Sequence, residues 1–174
     1  ASRMGVTIGG ELRNAGALGV DRSSSVSGLL LNRERGTLHL SGTGSIGYRY
    51  NGSFFNYGLV TASAAAVAAE GPAPVIYRRH AASDSTGRGV NLGTLTAQGG
   101  YGVMESHGSM TTPTGKPERR HVFVNRRNIE FTAAGNARRA LNVMTGHQGH
   151  DLFNAGVITV HGDGAVAMYS DSDS

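Results

Sequence analysis

The stretch Phe153-Asn154-Ala155-Gly156-Val157-Ile158-Thr159 repeats an earlier one, Phe55-Asn56-Tyr57-Gly58-Leu59-Val60-Thr61, almost position by position. The same order of Asn, a Gly two residues later and an apolar residue two further on returns at Asn91 and Asn14. Two weaker copies have Glu34 and Arg127 at the Asn position. Self-similarity of this kind is the sequence signature of a repeat architecture.

Three more positions of the unit align downstream of the Asn position. The fourth residue after it is apolar in all six copies: Leu18, Leu38, Val60, Leu95, Phe131 and Ile158. The eighth is Gly in four copies: Gly42, Gly99, Gly135 and Gly162. The twelfth is apolar in five copies: Val26, Ile46, Ala68, Val103 and Val166. Because aligned apolar positions can stack on one another, the pattern predicts columns of buried side chains.

Each unit has the composition of turns and short strands. Asn and Gly tolerate the backbone conformations of tight turns, and alternating stretches such as Gly156 to Val160 favour strands. The sequence therefore predicts an all-β parallel β-helix of about six coils, formed by residues 1–174 as one segment. Its units start near residues 14, 34, 56, 91, 127 and 154. The alternatives are a β-sandwich of hairpins and, for Ala62 to Glu70, a short Ala-rich helix.

The spacing of the units is uneven, and two intervals contain inserted sequence. Residues 72–88 include a Pro-Ala-Pro run and Arg78-Arg79-His80, and residues 107–125 include Pro113 and Pro117. Proline and polar residues between periodic segments are typical of loops. We therefore predict that both insertions are surface loops.

The unit resembles the repeat in passenger domains of Gram-negative autotransporters, through Phe-Asn-x-Gly-x-Ile-Thr-x-x-Gly-x-x-x-Val, best kept in Phe153 to Met168 and Val90 to Met104. The resemblance covers most of the chain outside the insertions. It implies a right-handed parallel β-helix on the bacterial cell surface, exported through its own outer-membrane barrel. Filamentous haemagglutinin-like exoproteins have similar repeats. The chain lacks the aromatic girdles of a barrel, so we expect a fragment whose outer-membrane tether is an absent C-terminal barrel.

Composition excludes several classes of function. The chain has 174 residues and no Cys, which excludes thiol catalysis and Cys-ligated metals. Its net charge of +4 is too small to indicate nucleic-acid binding by itself. No apolar run approaches the length of about 18 residues that a membrane helix needs.

Three motifs that could carry chemistry are better explained by the repeat or by loops. Gly42 to Gly47 fits G-x-G-x-x-G, but the residues after it do not favour the helix that a dinucleotide site requires. Ser109 to Pro113 resembles the surroundings of a subtilisin-like nucleophile, without an element to supply the base. His147 to Asp151 has three potential zinc ligands in a Gly-rich stretch. We predict no enzyme activity, no cofactor and no metal.

The strongest candidate for a binding site is a basic cluster formed by Arg119, Arg120, Arg126 and Arg127. Arg suits bidentate contacts with sulfate or carboxylate, so the cluster favours a glycan or protein on a host or sister-cell surface, or self-association. The same charges are also compatible with an ordinary solvated loop or a proteolytic processing site. We expect an adhesive passenger segment outside the cell; the alternatives are the non-catalytic stalk of an exported enzyme and a β-helical enzyme.

Overall fold

The computed structural model describes residues 7–8, 11–20, 23–26, 28–41, 45–49, 52–63, 75–81, 88–99, 102–108, 121–133, 139–144 and 150–170. These residues form β-strands and the turns between them, and no helix. Consequently none of them belongs to a helix that could cross a membrane.

The strands lie in three sheets, in which every recorded pairing is parallel. Sheet A contains β1 (Thr7–Ile8), β4 (Ser23–Val26), β7 (Ser45–Arg49), β10 (Val75–Ala81), β13 (Gly102–Gly108), β16 (Arg139–Met144) and β19 (Val166–Ser170). Sheet B contains β2 (Glu11–Asn14), β5 (Leu29–Asn32), β8 (Ser53–Asn56), β11 (Gly89–Asn91), β14 (His121–Asn125) and β17 (His150–Asn154). Sheet C contains β3 (Ala17–Val20), β6 (Thr37–Ser41), β9 (Leu59–Ser63), β12 (Thr94–Gly99), β15 (Asn128–Ala133) and β18 (Val157–His161).

The chain visits sheets B, C and A in turn, and each round is one coil. Coil 1 is β2, β3 and β4, and coil 6 is β17, β18 and β19, while β1 precedes the first coil in sheet A. Each strand pairs with the equivalent strand of the next coil, as β12 does with β9 and β15. This architecture is a parallel β-helix, as the repeat predicts.

Apolar columns run through the interior, because equivalent positions of successive coils are directly paired. One column contains the predicted Leu18, Leu38, Val60, Leu95 and Ile158. Its fifth-coil member is Ile129 and not Phe131, which lies two residues further along β15 and pairs with Ala97 and Val160. The prediction is therefore confirmed for five copies and wrong for the weakest one, where the unit was aligned two residues late.

The turn positions of two copies need the same kind of correction. Asn14, Asn56, Asn91 and Asn154 occupy one turn position, as predicted, but its other members are Asn32 and Asn125 and not Glu34 and Arg127. The turn of coil 2 has two additional residues before Gly36, and the turn of coil 5 has no Gly. In these two copies the sequence pattern matches the residues after the turn. It therefore does not identify Asn32 and Asn125, which lie before the turn.

The eighth and twelfth positions are only partly regular. Gly99 and Gly162 have positive φ, but Gly99 pairs with Ala133 and so Ala133 replaces the predicted Gly135. Val26 and Ile46 were expected in one column, whereas Val26 pairs with Tyr48 and Ile46 pairs with Ser24. Gly42, Ala68 and Gly135 lie outside the described residues.

The two predicted insertions contain strands of the solenoid. Val75–Ala81, within 72–88, is β10, which pairs with β7 and β13 in the middle of sheet A. His121–Asn125, at the end of 107–125, is β14, which pairs with β11 and β17. For these segments the loop prediction is wrong, because consecutive polar residues such as Arg78-Arg79-His80 have the composition of a loop although they belong to a strand. Residues 109–120 lie outside the described part of the chain, and Ala62 and Ser63 belong to strand β9.

Candidate binding surface

A ladder of Asn side chains holds the turn between sheets B and C in every coil. Each Nδ2 group donates to the Oδ1 atom of the Asn in the next coil, at 2.8–2.9 Å from Asn14 through Asn154. Four of these residues are fully buried: Asn32, Asn56, Asn91 and Asn125. Buried amide groups in proteins are almost always hydrogen-bonded, because an unpaired one destabilises the fold. The ladder therefore holds the turn of each coil against the turn of the neighbouring coil.

Backbone hydrogen bonds continue the alignment into the turns. The residue after each Asn donates its N–H to the Asn carbonyl of the preceding coil, as Tyr57 does to Asn32 and Arg126 does to Asn91. This register places one residue per coil in a single column at the outside of the turn. The column runs from Ala15 to Ala155, and we call its four middle members, Arg33, Tyr57, Leu92 and Arg126, together with Arg127 next to Arg126, the turn ridge.

The turn ridge has basic ends and an apolar middle. Arg33 and Arg126 are exposed, Tyr57 is 42% exposed and Leu92 is half-buried. Coils stack at about 4.8 Å, so three coil steps separate the two Arg backbones by about 14 Å. Beside the ridge, Leu59 is exposed on β9 and Phe55 is half-buried on the outer face of β8. The ridge can therefore offer guanidinium groups and an aromatic face to one ligand.

The last turn residue is Gly in five coils, and in coils 2, 3, 4 and 6 it lies so close to the preceding coil that a side chain would collide with backbone atoms. A Cβ atom on Gly93 would meet the carbonyl oxygen of Gly58, and one on Gly58 would meet that of Gly36. The residue after each of these Gly residues donates a short backbone hydrogen bond to the preceding coil, for example 2.9 Å from Thr94 N to Gly58 O. Backbone atoms cannot rotate away as a flexible side chain does, so a larger residue forces the coils apart.

Arg127 is the exception to this rule. It occupies the Gly position in coil 5, and the bond from Asn128 N to Gly93 O beside it is 3.3 Å, against 2.7–3.0 Å for the same bond in the other coils. The side chain of Arg127 is exposed, as is that of Arg126, the residue before it in the turn. Departures from an otherwise consistent local rule are typical of functional positions.

Charge at the surface is weakly compensated. Within the described residues Arg13 forms an ion pair with Glu11 at 2.7 Å, and the imidazole of His161 lies 3.9 Å from the carboxylate of Glu130. Neither Arg126 nor Arg127 pairs with a carboxylate of the described residues. Both cations are therefore available to an anionic ligand.

The structure tests part of the predicted basic cluster. Arg126 and Arg127 lie together at the turn ridge, whereas Arg119 and Arg120 fall outside the described residues. Sequence reasoning missed Arg33 and Tyr57, which the solenoid places in one column with Arg126. Correct alignment on Asn32 would have found Arg33, because it is the residue after the Asn.

The other motifs can be located in the same way. Ser45–Arg49 is strand β7, so the helix of a dinucleotide site does not begin there. Residues 109–113 and 147–149 lie outside the described part, and His150 and Asp151 belong to β17. In the described ranges no group of three His, Asp or Glu residues is arranged to hold a metal ion.

Comparison with known families identifies one that matches nearly the whole chain. A family model described as the BigA fourth domain matches residues 2–174. The chain belongs to the BigA fourth-domain family. No curated protein and no solved structure matches it.

As a BigA fourth domain, the chain is a domain of a bacterial surface protein, in keeping with the expected extracellular location. The family description is coarser than the expected passenger repeat of an autotransporter, and it names no ligand. Within the described residues of this BigA fourth domain, the turn ridge contains the one coil whose turn has Arg127 in place of Gly.

Proposed function

We propose that this domain is a non-enzymatic, extracellular binding module that contacts anionic glycans on a cell surface through the turn ridge. One observation carries the proposal: Arg127 occupies a position where five other coils have Gly, at the cost of a stretched backbone bond. A solenoid that retains an unfavourable residue there gains a second exposed guanidinium beside Arg126.

The chemistry of the ridge supports a sulfated or carboxylated sugar. Guanidinium groups form bidentate hydrogen bonds with such anions, and aromatic rings offer a flat apolar face to a ligand. Tyr57 lies between Arg33 and Arg126 in the column. Because the Asn ladder already fixes the backbone beneath the ridge, little ordering accompanies binding.

In the complete protein, the finer role that we propose is an adhesive passenger segment of an autotransporter-like surface protein. The proposal includes no catalytic role, because the residues that depart from the repeat are basic and aromatic rather than nucleophilic or acidic. Under the alternative role, the stalk of an exported enzyme, the ridge makes no contribution to binding.

The experiment compares retention on heparin, used as a sulfated-glycan probe, between two variants of equal charge. Arg126→Ser with Arg127→Ser removes two cations from the ridge. Arg13→Ser with Arg88→Ser removes two exposed cations elsewhere, on β2 and directly before β11. We expect the ridge variant to elute at clearly lower salt than the control variant, because it lacks the two cations that would contact the sulfate groups. Elution by salt reports on this contact, since exposed charges are screened within about 8 Å at physiological ionic strength. Equal elution of the two would overturn the proposal and leave the stalk role.

A further inference from the structure

The outer face of sheet B has an apolar column that runs from coil 2 to coil 6. Its members are paired directly from one coil to the next: Leu31, Phe55, Val90, Val124 and Phe153. The first four are half-buried and Phe153 is 55% exposed. Coils stack at about 4.8 Å, so the four coil steps give the column a length of about 19 Å. We call this column the apolar stripe.

The apolar stripe lies directly beside the turn ridge. Phe55 is two residues before Tyr57, and Val124 is two residues before Arg126, with one Asn of the buried ladder between them in each case. Coils 3 to 5 have no Asp or Glu in the described residues of this surface, which are 52–59, 88–94 and 121–128. An apolar surface bordered by cations and free of carboxylates is complementary to a ligand that has apolar and anionic groups.

The other side of the turn ridge has a different character. The first outward column of sheet C contains Leu59, which is 38% exposed, between Thr37 and Thr94 of the neighbouring coils. Asn128 follows Thr94 in the same column. The column beside the ridge is thus mainly polar on sheet C and entirely apolar on sheet B from coil 2 to coil 6. A ligand with an apolar face therefore fits sheet B better.

The shape of the apolar stripe favours a single unbranched chain. The stripe is one residue wide, whereas a stable protein interface buries about 800 Å² on each partner. An extended peptide binds by adding a strand at a free sheet edge, but β5, β8, β11 and β14 are paired on both sides. A polysaccharide needs no free backbone groups, because its sugar rings have apolar C–H faces and carry their polar groups at the edges.

We propose that an unbranched anionic polysaccharide lies along the solenoid axis, with its ring faces on the apolar stripe and its sulfate or carboxylate groups toward the turn ridge. The inference rests on the proposed function and specifies the form of the ligand. Arg33 and Arg126 are three coil steps apart, about 14 Å. A chain of several sugars reaches both, and the second contact is then intramolecular.

Two other exposed cations lie outside this path. Arg13 is one coil before the apolar stripe, opposite Leu31, and forms the ion pair with Glu11. Arg88 is two residues before Val90, on the side of the stripe away from the ridge. The control variant of the heparin experiment therefore leaves the proposed path of the chain intact.

Two matched variants of coil 3 test which side of the ridge the chain covers. Phe55 is two residues before Tyr57 on sheet B, and Leu59 is two residues after it on sheet C. We expect Phe55→Thr to weaken binding of a heparin octasaccharide about tenfold at fixed ionic strength, because aromatic residues contribute a large share of contact energy. Leu59→Thr and Phe55→Tyr, which keeps the ring, should bind as the wild type does.

The variants are chosen so that the fold is preserved. Thr favours β-strands, and circular dichroism verifies that each variant folds. Val124→Thr changes the apolar stripe at a second place with almost no change of shape, and it should also weaken binding. It provides the test if Phe55→Thr does not fold.

The length of the ligand gives the second measurement. We expect the octasaccharide to bind the wild type at least about tenfold more tightly than a heparin disaccharide does, because only the longer chain engages both ends of the ridge. Arg33→Ser should reduce that ratio.

Equal affinities of Phe55→Thr and Leu59→Thr for the octasaccharide would overturn the inference and leave the apolar stripe to a protein partner. Equal affinities of the wild type for the two oligosaccharides would also overturn it. The proposed function survives either result if the Arg126 and Arg127 double variant still elutes from heparin before its control. Equal elution of that pair removes both proposals.

Discussion

The ring of Tyr77 stacks on the ring of Phe54 inside the solenoid, with 5.6 Å between their centroids and 25° between their planes. The ring of Phe123 also packs against Tyr77, with 6.1 Å between their centroids and 33° between their planes. Gly89 makes this possible: it lies between Phe54 and Phe123 in the column of sheet B, and a Cβ atom there would be 2.5 Å from Phe123 Cδ2. Two aromatic rings from coil 3 and one from coil 5 thus share the space that a side chain at Gly89 of coil 4 would fill.

Truncation of this cluster should be among the most destabilising changes in the domain. Tyr77 is 2% exposed, and removing a buried aromatic ring leaves a cavity that costs about 3–5 kcal/mol. We expect that loss for Tyr77→Ala in denaturant unfolding. A loss below about 1 kcal/mol would show that the neighbouring rings collapse into the space.

The Gly position of the turn gives a prediction with an internal control. Gly93→Ala forces a Cβ atom against the carbonyl of Gly58, and we expect a loss of about 2 kcal/mol or more from overpacking. Gly16 has the same place in the first coil, with no atom within 4 Å of a Cβ. Gly16→Ala should therefore be neutral or slightly stabilising. Equal melting temperatures for the two variants would contradict the close-approach explanation.

The Asn ladder should be strongest in its interior. Asn91 accepts from Asn56 and donates to Asn125, so Asn91→Ala leaves buried polar groups without partners, at a cost of about 2–3 kcal/mol. Asn154 is exposed at the end of the ladder, and Asn154→Ala should cost less than about 1 kcal/mol. The check is chemical denaturation of both variants; a larger loss at Asn154 would refute the ladder as the source of stability.

Replacement of Arg127 should weaken binding to heparin without lowering the stability of the domain. Replacing it with Gly restores the residue found in the other coils, and we expect the free energy of unfolding to stay within about 1 kcal/mol of the wild type. Retention on heparin should fall at the same time, because one of the two neighbouring guanidinium groups is lost. A drop in stability above about 2 kcal/mol, with heparin retention unchanged, would identify Arg127 as a structural residue.

The solenoid and one of its core columns could be predicted from the sequence. The reason is that similar residues recur at the same distance from the Asn position of each unit, even though the units themselves are unevenly spaced. Leu18, Leu38 and Val60 could be aligned without knowing where any loop ended. The strand Val75–Ala81 could not be recognised, because Arg78, Arg79 and His80 follow one another and resemble a loop. Strand β10 is defined by its neighbours β7 and β13, which lie far away along the chain.

Half of the candidate site was predictable for a similar reason. Arg126 and Arg127 are adjacent in sequence, so composition alone identifies them. Tyr57 and Arg33 join them only through hydrogen bonds between turns of different coils. The extra residues between Asn32 and Gly36 hid that register, since a copy aligned on Gly36 places Glu34 in the Asn position.

The turn between sheets B and C has a further consequence for how such a domain can change over time. This turn has two residues in five coils and four in the other, whereas eleven residues separate Ser63 from Val75 and twelve separate Gly108 from His121. Residues 64–74 join sheet C to sheet A, and residues 109–120 join sheet A to sheet B, so both connections between strands tolerate a length that the turn between sheets B and C does not. We therefore expect peptides grafted for display to be accepted within 64–74 or 109–120 and rejected in that turn.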